Sequence, residues 1–431
     1  MFTRTHHKGA GTVPLTMTDW YAQADQRRSP HPSYWHFSCA LRRLGDPPSP
    51  EEVRALLTDV ADRIPVLGHR LGGQGRNLRF EPVGDIDPRD HVEDVRFPVG
   101  WPPERCLAKA LERPWRPGRP PWSLQVISGY RPGEHLLAYR VSHLLQDGVA
   151  AAATTAALLG GGRLPAPATE QDRFALPDLP AVRAGLRIAP RLLAPRVRWQ
   201  PEPEPDPAEG AWLRPAVNLD RAPFDEITRV TGASNAQICL AVICGALRQW
   251  VPQRWDATAR SLPVVLMMSL RGPRERDGLG NRVAVAPLSL PCADPRPGRR
   301  LRRIMAQAEL EELVRYRRLV TGLLRLPGPV ARPAARLAVR LSPPVIGVTI
   351  VSTPLDAAAL GAEELLVAPA RPTAASAGFV VLQQPSVVSF HPAFRTLPRG
   401  TDLLPGLLAG SLAELHAAVV PAPAAAVGAG G

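Results

Sequence analysis

Lysine is almost missing from this chain of 431 residues: of its 52 basic residues only Lys8 and Lys109 are lysines, and the rest are arginine. The arginines are scattered rather than gathered into the basic blocks of a nucleic-acid footprint, which sets nucleic acid aside as a partner. A GC-rich coding genome accounts for most of the excess, since Arg, Ala, Pro and Gly codons rise together. Anion binding through arginine's bidentate fork is the other source of the +13 formal charge. Cysteine is sparse too: Cys39, Cys106, Cys239, Cys244 and Cys292 are odd in number and widely spaced. With no CxxC pair among them, a zinc ribbon is excluded and a reduced, cytoplasmic setting fits. Residues 1–14 carry Arg4, His6, His7 and Lys8 but lack the apolar core of a secretory signal. The longest nearly apolar run, Ala236 to Leu247, falls short of the roughly 20 residues that span a bilayer. The protein is therefore expected to be soluble, or at most peripheral at the inner face of the membrane. No repeat with a period of roughly 20–50 residues is visible.

Proline, in contrast, is abundant: 50 residues, about twice the usual share of roughly 5%. Hydrophobic residues at 45% and charged residues at 21% are those of a globular protein with a large core. Ser49-Pro50-Glu51-Glu52 is a capping box with Pro at the first helical position. Val53, Leu56, Leu57, Val60 and Ile64 then recur at helical spacing, predicting a helix over about 50–63. Glu134 to His143 reads as a strand entering the core, Leu144 to Gly148 as a loop, and Val149 to Leu159 as an Ala-rich helix stopped by Gly160-Gly161-Gly162. Between 163 and 215 prolines recur every few residues, and Pro201 to Pro207 can hold neither helix nor ladder. The expected organisation is a first lobe over 1–162, a Pro/Arg-rich linker over 163–215 and a second lobe over 216–431 ending in a low-complexity tail. In the second lobe a helix is expected over 235–250, capped by Ser234. Strands are expected at 263–270, 282–290, 345–351, 378–382 and 386–390, with a charged helix near 301–318 and a closing one near 403–418. Mixed elements in both parts make this an α/β or α+β protein.

The segment richest in chemistry is Ser142-His143-Leu144-Leu145-Gln146-Asp147-Gly148. A histidine leaving a buried strand can present one ring nitrogen to a cavity while the loop holds the other, as a general base requires. By the strand's period of two, His143 shares a face with Val141, Tyr139 and Leu137, and Ser142 points the other way with Arg140. Asp147 can pair with an arginine to fix the loop, and Gly148 lets the backbone turn tightly or a substrate come close. The plain alternatives are a structural histidine and an Asp147 that caps the following helix.

In its surroundings the segment resembles the wax ester synthase/diacylglycerol acyltransferase family, part of the group with chloramphenicol acetyltransferases and non-ribosomal peptide condensation domains. That group carries His-His-x-x-x-Asp-Gly, with the second histidine as base. Further stretches match in order. Leu15-Thr16-Met17-Thr18-Asp19-Trp20 is similar to "LSPLDxxF", Ile64 to Leu71 to "LPRLRQRL" and Arg119-Pro120-Pro121-Trp122 to "RPLWE". Ser234-Asn235-Ala236 is similar to the "VND" helix start, and Ser269 to Pro273 followed by Leu279 to Val283 to "SLRGP…LGNRV". The resemblance runs from about residue 14 to 415. It implies two chloramphenicol-acetyltransferase-like lobes forming a pseudo-dimer, with an inter-lobe tunnel that reaches His143 from both sides. It further implies transfer of an acyl group from acyl-CoA, or from a carrier's phosphopantetheine arm, to an alcohol or amine. His143 would be the base, Asp147 its structural support beside Gly148, and no metal would be required. Asn281, Arg282, Asn235 and Tyr139 stand where substrate-binding residues would be expected, although a turn Asn and a strand-end Arg are equally ordinary.

The chain departs from the pattern at several points. Ser142 replaces the first histidine, Ala236 replaces an aspartate, and Ser352-Thr353-Pro354 stands where "NVPGP" is usual. Gly68 holds an arginine position, which leaves Arg70 as the expected partner of Asp147. Three functions stay open at this point: an acyl-CoA-dependent acyltransferase, a free-standing condensation enzyme fed by a carrier protein, and a pseudoenzyme that binds without turnover. Trp122, Cys239 and Cys244 read as core, His391 and His6-His7 as packed or solvated. The arginine-rich stretch 181–199 reads either as a solvated bridge or as a membrane-facing segment.

Overall fold

The computed structural model describes residues 5–6, 11–160, 178–188, 191, 202–205, 210–251, 255, 261–271, 278–341, 345–353, 355–372 and 375–421. Helix α1 (Met17–Gln26) starts at Thr16, whose hydroxyl and backbone exchange hydrogen bonds with Asp19 in a capping box. Helix α2 (Pro50–Val60) starts at the capping box read from Ser49 to Glu52 and runs on into a short 3₁₀ turn. With β1 (His36–Leu44), β2 (Val92–Arg96), α3 (Pro103–Leu111), β3 (Trp122–Ser128), β4 (Glu134–Ser142) and α4 (Gly148–Gly160) they form the first layer set. Every residue of β3 and β4 is buried because helices cover both faces. Leu137, Tyr139 and Val141 pack with Val53 and Leu57 of α2 and with Ala151 and Leu158 of α4. Leu136 and Ala138, on the opposite face, pack with Cys106, Leu107 and Leu111 of α3. The period of two along β4 thus separates two cores, as expected of a strand covered on both sides.

The second sheet holds β5 (Val217–Asp220), β6 (Leu262–Ser269), β7 (Val283–Leu290), β8 (Val345–Ser352), β10 (Ala375–Gln383) and β11 (Val387–Phe394), in the order β5-β11-β10-β8-β6-β7. Helix α5 (Asn235–Trp250) packs on it with α7 (Leu404–Val419), and α6 (Gly328–Leu341) lies against α1. Between β8 and β10 the chain leaves this sheet: β9 (Glu364–Ala368) pairs antiparallel with β1, giving the first sheet the order β9-β1-β4-β3-β2. A segment expected within the second lobe therefore supplies the edge strand of the first lobe's sheet and covers what would be a free edge of β1.

Most expected elements are present within a residue or two, although the strands expected at 378–382 and 386–390 run longer, as Ala375–Gln383 and Val387–Phe394. Three larger differences stand beside these. The charged helix near 301–318 is two helices, Pro297–Gln307 and Leu310–Leu324, parted at Ala308 and Glu309. Helix α6 was not anticipated because Pro333 lies inside it, and its stability rests on packing of Ala331, Ala335 and Val339 rather than on propensity. Within the proline-rich stretch, Leu179–Ile188 is helical and packs on Leu310–Leu324, with Arg187 and Arg191 reaching Glu312. Residues 192–199 and the tail beyond 421 lie outside the described residues. Trp122, Cys239, Cys244 and His391 are all buried.

Helices α5 and α7 approach closely at Gly245, where an added Cβ would overlap the Ser411 side chain, with Ser411 Cβ at 3.2 Å and Arg300 Nη2 at 3.1 Å. Gly245→Ala is expected to lower stability by about 1–3 kcal/mol in chemical denaturation. Gly406→Ala, where a Cβ meets nothing within 4 Å, is expected to be neutral or to raise stability by up to about 1 kcal/mol.

Candidate functional site

His143 follows the last residue of β4, where the ladder stops and the chain turns toward α4. Its backbone N–H donates to Trp35 O at 2.7 Å, and the Trp35 and Phe37 rings meet its imidazole edge-on, with centroids at 5.6 and 6.5 Å. The side chain is half-buried. Below it, Tyr139 Oη donates to Gln146 Oε1, and Gln146 Nε2 donates to Thr154 Oγ1, both at 2.7 Å, tying strand, loop and α4 together. Asp147 caps α4 by accepting from Ala150 N at 3.1 Å.

The second half of the chain reaches this loop through Gly280, Asn281 and Arg282. Gly280 N donates to Leu145 O at 2.7 Å, and Gln146 and Gly280 form a parallel bridge. Asn281 N and Nδ2 donate to Asp19 Oδ1 at 2.6 and 3.1 Å, and Nδ2 also donates to His143 O at 2.8 Å. Thr16 and Thr18 hydroxyls hold Asn281 O, and Thr16 N and Oγ1 donate to Asp19 Oδ2 at 2.8 and 2.7 Å. Burial, partly offset by these donors, pushes the Asp19 carboxyl up from its ordinary range. Gly280 has φ +72°, and a Cβ there would sit 2.8 Å from both Asp19 carboxylate oxygens, so only glycine meets the backbone and contact requirements together.

These bonds decide the form of the imidazole. A backbone carbonyl can only accept, so the His143 carbonyl requires the Asn281 amide nitrogen to face it, and the Asp19 carboxylate favours the same orientation. Oδ1 then faces His143 Nδ1 at 2.8 Å. Being an acceptor, it requires Nδ1 to carry the proton, which leaves Nε2 with its lone pair.

Asp147 has a partner other than the one expected. Arg70 Nη1 donates to Gly118 O at 2.9 Å, whereas Arg271 Nε donates to Asp147 Oδ1 and Oδ2 at 3.0 and 2.8 Å. Arg271 Nη2 donates to Gly280 O at 2.6 Å, and Arg282 N donates to Asp147 Oδ2 at 3.0 Å. The Arg271 side chain is 0% exposed and that of Asp147 2%, so the pair is a buried brace between the halves. Both expectations for Asp147, arginine partner and helix cap, are met by one carboxylate.

The remaining candidates are placed as follows. Tyr139, expected on the substrate side, is fully buried, and its hydroxyl donates to Gln146 of the loop. Asn235 accepts from Thr228 Oγ1 at 3.0 Å, outside the hydrogen-bonded group around His143. Arg282 meets the group through its backbone. Gly148 lacks a positive φ, and a Cβ there would meet nothing within 4 Å, so it is not needed for a tight turn and stands beside open space. Ser142 Oγ accepts from Leu144 N at 3.3 Å. Asp19 and Gly280 are not among the residues singled out from the sequence, whereas Arg271 in its Gly-Pro turn reads there as equally structural or anion-binding. The T-x-x-D cap before α1 was the one local signal for Asp19.

No family model matches the chain. Among solved structures, it is similar to the first condensation domain of the calcium-dependent antibiotic synthetase in complex with a substrate analogue, at 16% identity and TM-score 0.62, covering 96% of this chain and 98% of that one. It is similar to the wax ester synthase/diacylglycerol acyltransferase from Marinobacter aquaeolei VT8 at 18% identity and TM-score 0.56, covering 94% and 99%. A mutant starter condensation domain of rhizomide synthetase in complex with C8-CoA matches at 13% identity and TM-score 0.59, covering 95% and 96%. The chain thus has the two-lobed fold of the condensation-domain and chloramphenicol-acetyltransferase-like group. Within that group both the condensation domains and the wax ester synthase/diacylglycerol acyltransferase are structural neighbours. Among the described residues no single helix is long and apolar enough to cross a membrane.

Removing one member of the buried Arg271–Asp147 pair leaves the other charge uncompensated. Arg271→Ala is expected to lower stability by about 3–5 kcal/mol in denaturant titration, far more than Arg70→Ala, whose guanidinium serves one exposed carbonyl.

Proposed function

We propose that this protein transfers an acyl group from a thioester donor to an alcohol or amine, with His143 as general base. The observation that carries this reading is the Asn281 amide, locked in an orientation that fixes a proton on Nδ1 and frees Nε2. In the reaction Nε2 takes the proton of the acceptor's O–H or N–H as the heteroatom attacks the thioester carbonyl carbon. The new C–O or C–N bond forms while the C=O pair moves onto oxygen. Collapse restores the carbonyl and breaks the C–S bond, and the leaving thiolate takes the proton from Nε2. Asn281 Oδ1 stabilises the imidazolium between the two transfers, and Asp19 holds Asn281. Proximity of the two bound substrates supplies much of the rate. Ser142 is no obstacle, because the tautomer depends on Asn281 and not on residue 142.

The donor we favour is acyl-CoA. The C8-CoA complex of a starter condensation domain with this fold supports that choice. The match to a condensation domain with a substrate analogue keeps a carrier-borne donor as the second reading. Thiol release followed across acyl-CoAs of short, medium and long chain, with alcohol and amine acceptors, tests the reading. Turnover with loaded carrier protein alone would favour the condensation enzyme, and no turnover with any donor would favour a binding protein.

His143→Ala is expected to lower the rate by about 10²–10⁴-fold with the fold intact by circular dichroism. Asn281→Ala is expected to reduce kcat by roughly tenfold or more with a smaller change in KM, since it frees the imidazole to rotate and to exchange tautomers.

A further inference from the structure

Helix α6 presents its buried stripe, Ala331, Ala335 and Val339, at i, i+4 and i+8, and the packing of α6 on α1 is built on it. One residue further on, Arg332, Arg336 and Arg340 form a parallel stripe about 100° round the helix. Packing of the small residues therefore sets the arginines along the seam with α1. There Arg27, Arg28, Arg336 and Arg340 line one cavity of about 230 Å³ together with Gln23, Ala24 and Val339. Among the described residues none of the four has a carboxylate at ion-pair distance. The nearest acid on α1, Asp25, is fully buried and accepts from Trp35 Nε1 at 3.0 Å. Gln23, in the orientation that satisfies both groups, accepts from Arg27 Nε and Nη2 at 2.8 and 2.7 Å and positions that guanidinium. Four clustered cations without a counter-ion repel one another, a cost that an anion in the cavity removes.

Location narrows the anion. Arg27 lies eight residues from Asp19 on the same helix, about 12 Å along its axis, and Asp19 is one amide away from His143. A pantetheine arm spans roughly 15 Å from its sulfur to its phosphate, judged from its bond lengths. We infer that the cavity lined by Arg27, Arg28, Arg336 and Arg340 binds the phosphate groups of the donor's pantetheine handle, placing its thioester at His143. This rests on the thioester-donor reading above. The shared chemistry is a phosphate ester on pantetheine, whether carried by CoA or by a carrier protein.

The test is calorimetric binding, which needs no turnover. CoA, dephospho-CoA, 4′-phosphopantetheine and pantetheine are titrated into the wild type and into Arg336→Gln/Arg340→Gln, whose changes lie at exposed positions. CoA is expected to bind at least about tenfold more weakly to the variant, and pantetheine weakly to both proteins. Equal binding of CoA and 4′-phosphopantetheine would assign the site to a carrier arm, and tighter binding of CoA would assign it to CoA. Equal affinity of CoA and pantetheine, or of CoA for wild type and variant, overturns the proposal. So does a variant that loses binding to phosphatidylglycerol vesicles while keeping CoA, which would make the cleft a lipid-facing patch. If no donor is turned over and the CoA loss is still seen, the proposed reaction fails and this site stands. If acyl-CoA is turned over and the variant leaves the preference for acyl-CoA over an acyl-N-acetylcysteamine thioester intact, the site fails and the reaction stands.

Discussion

Three consecutive residues, Gly280, Asn281 and Arg282, are clamped between two buried carboxylates from the other half of the chain. Asp19 takes the Asn281 backbone and amide N–H groups, and Asp147 takes the Arg282 backbone N–H and the Arg271 guanidinium. Hydrogen bonds to ionised groups are each worth about 1.5–3 kcal/mol, and breaking one leaves its buried partner unsatisfied. The clamp is therefore an all-or-none contact. It joins the halves at the one place where His143 leaves its strand, so the imidazole cannot be oriented unless the halves are docked. The orientation of this imidazole exists only in the folded whole.

The same clamp explains why glycine stands at 280. The positive φ bends the backbone so that Asn281 N and Arg282 N point to different carboxylates, and the absent side chain lets the Asp19 carboxylate come within contact distance. Strand β9 works in the same direction on a larger scale. By crossing from the second half to pair with β1, it hydrogen-bonds the halves together along a full strand and leaves less freedom for one to slide against the other.

The arginine excess divides into groups with different physics. Arg271 is a buried brace. Arg140 is also fully buried, reaching Glu93 at 3.2 Å and lying over the Trp115 ring, and burial pulls its pKa down to about 10. Arg300 reaches Glu414 at 2.9 Å and the carbonyls of Asp294 and Pro295. In such places guanidinium's several donors satisfy many acceptors at once, which a lysine ammonium does less well. Among the described residues the arginines of the α1–α6 seam have no carboxylate at ion-pair distance, and Arg27 has the Gln23 amide oxygen. The fold thus employs some of the arginines as buried structure and leaves others at the surface of a cavity.

What the sequence determined by itself was local. Helix starts at Ser49 and Ser234, the inward strand ending at His143 and the helix after Asp147 all depend on neighbours within a few residues, where capping and periodicity act. The collinear motifs carried the two-lobed fold. What only the tertiary structure decided was partnership. Arg271 rather than Arg70 meets Asp147, the Tyr139 hydroxyl meets Gln146, β9 joins the other sheet, and a proline-bearing segment becomes helix α6. Each of these contacts joins residues far apart in the chain, and hydrophobic periodicity says which face of an element is buried but not what it is buried against. Asp19 shows the difference most plainly: its cap on α1 is legible in four residues, whereas its hold on Asn281 appears only when residues 262 positions apart are brought together.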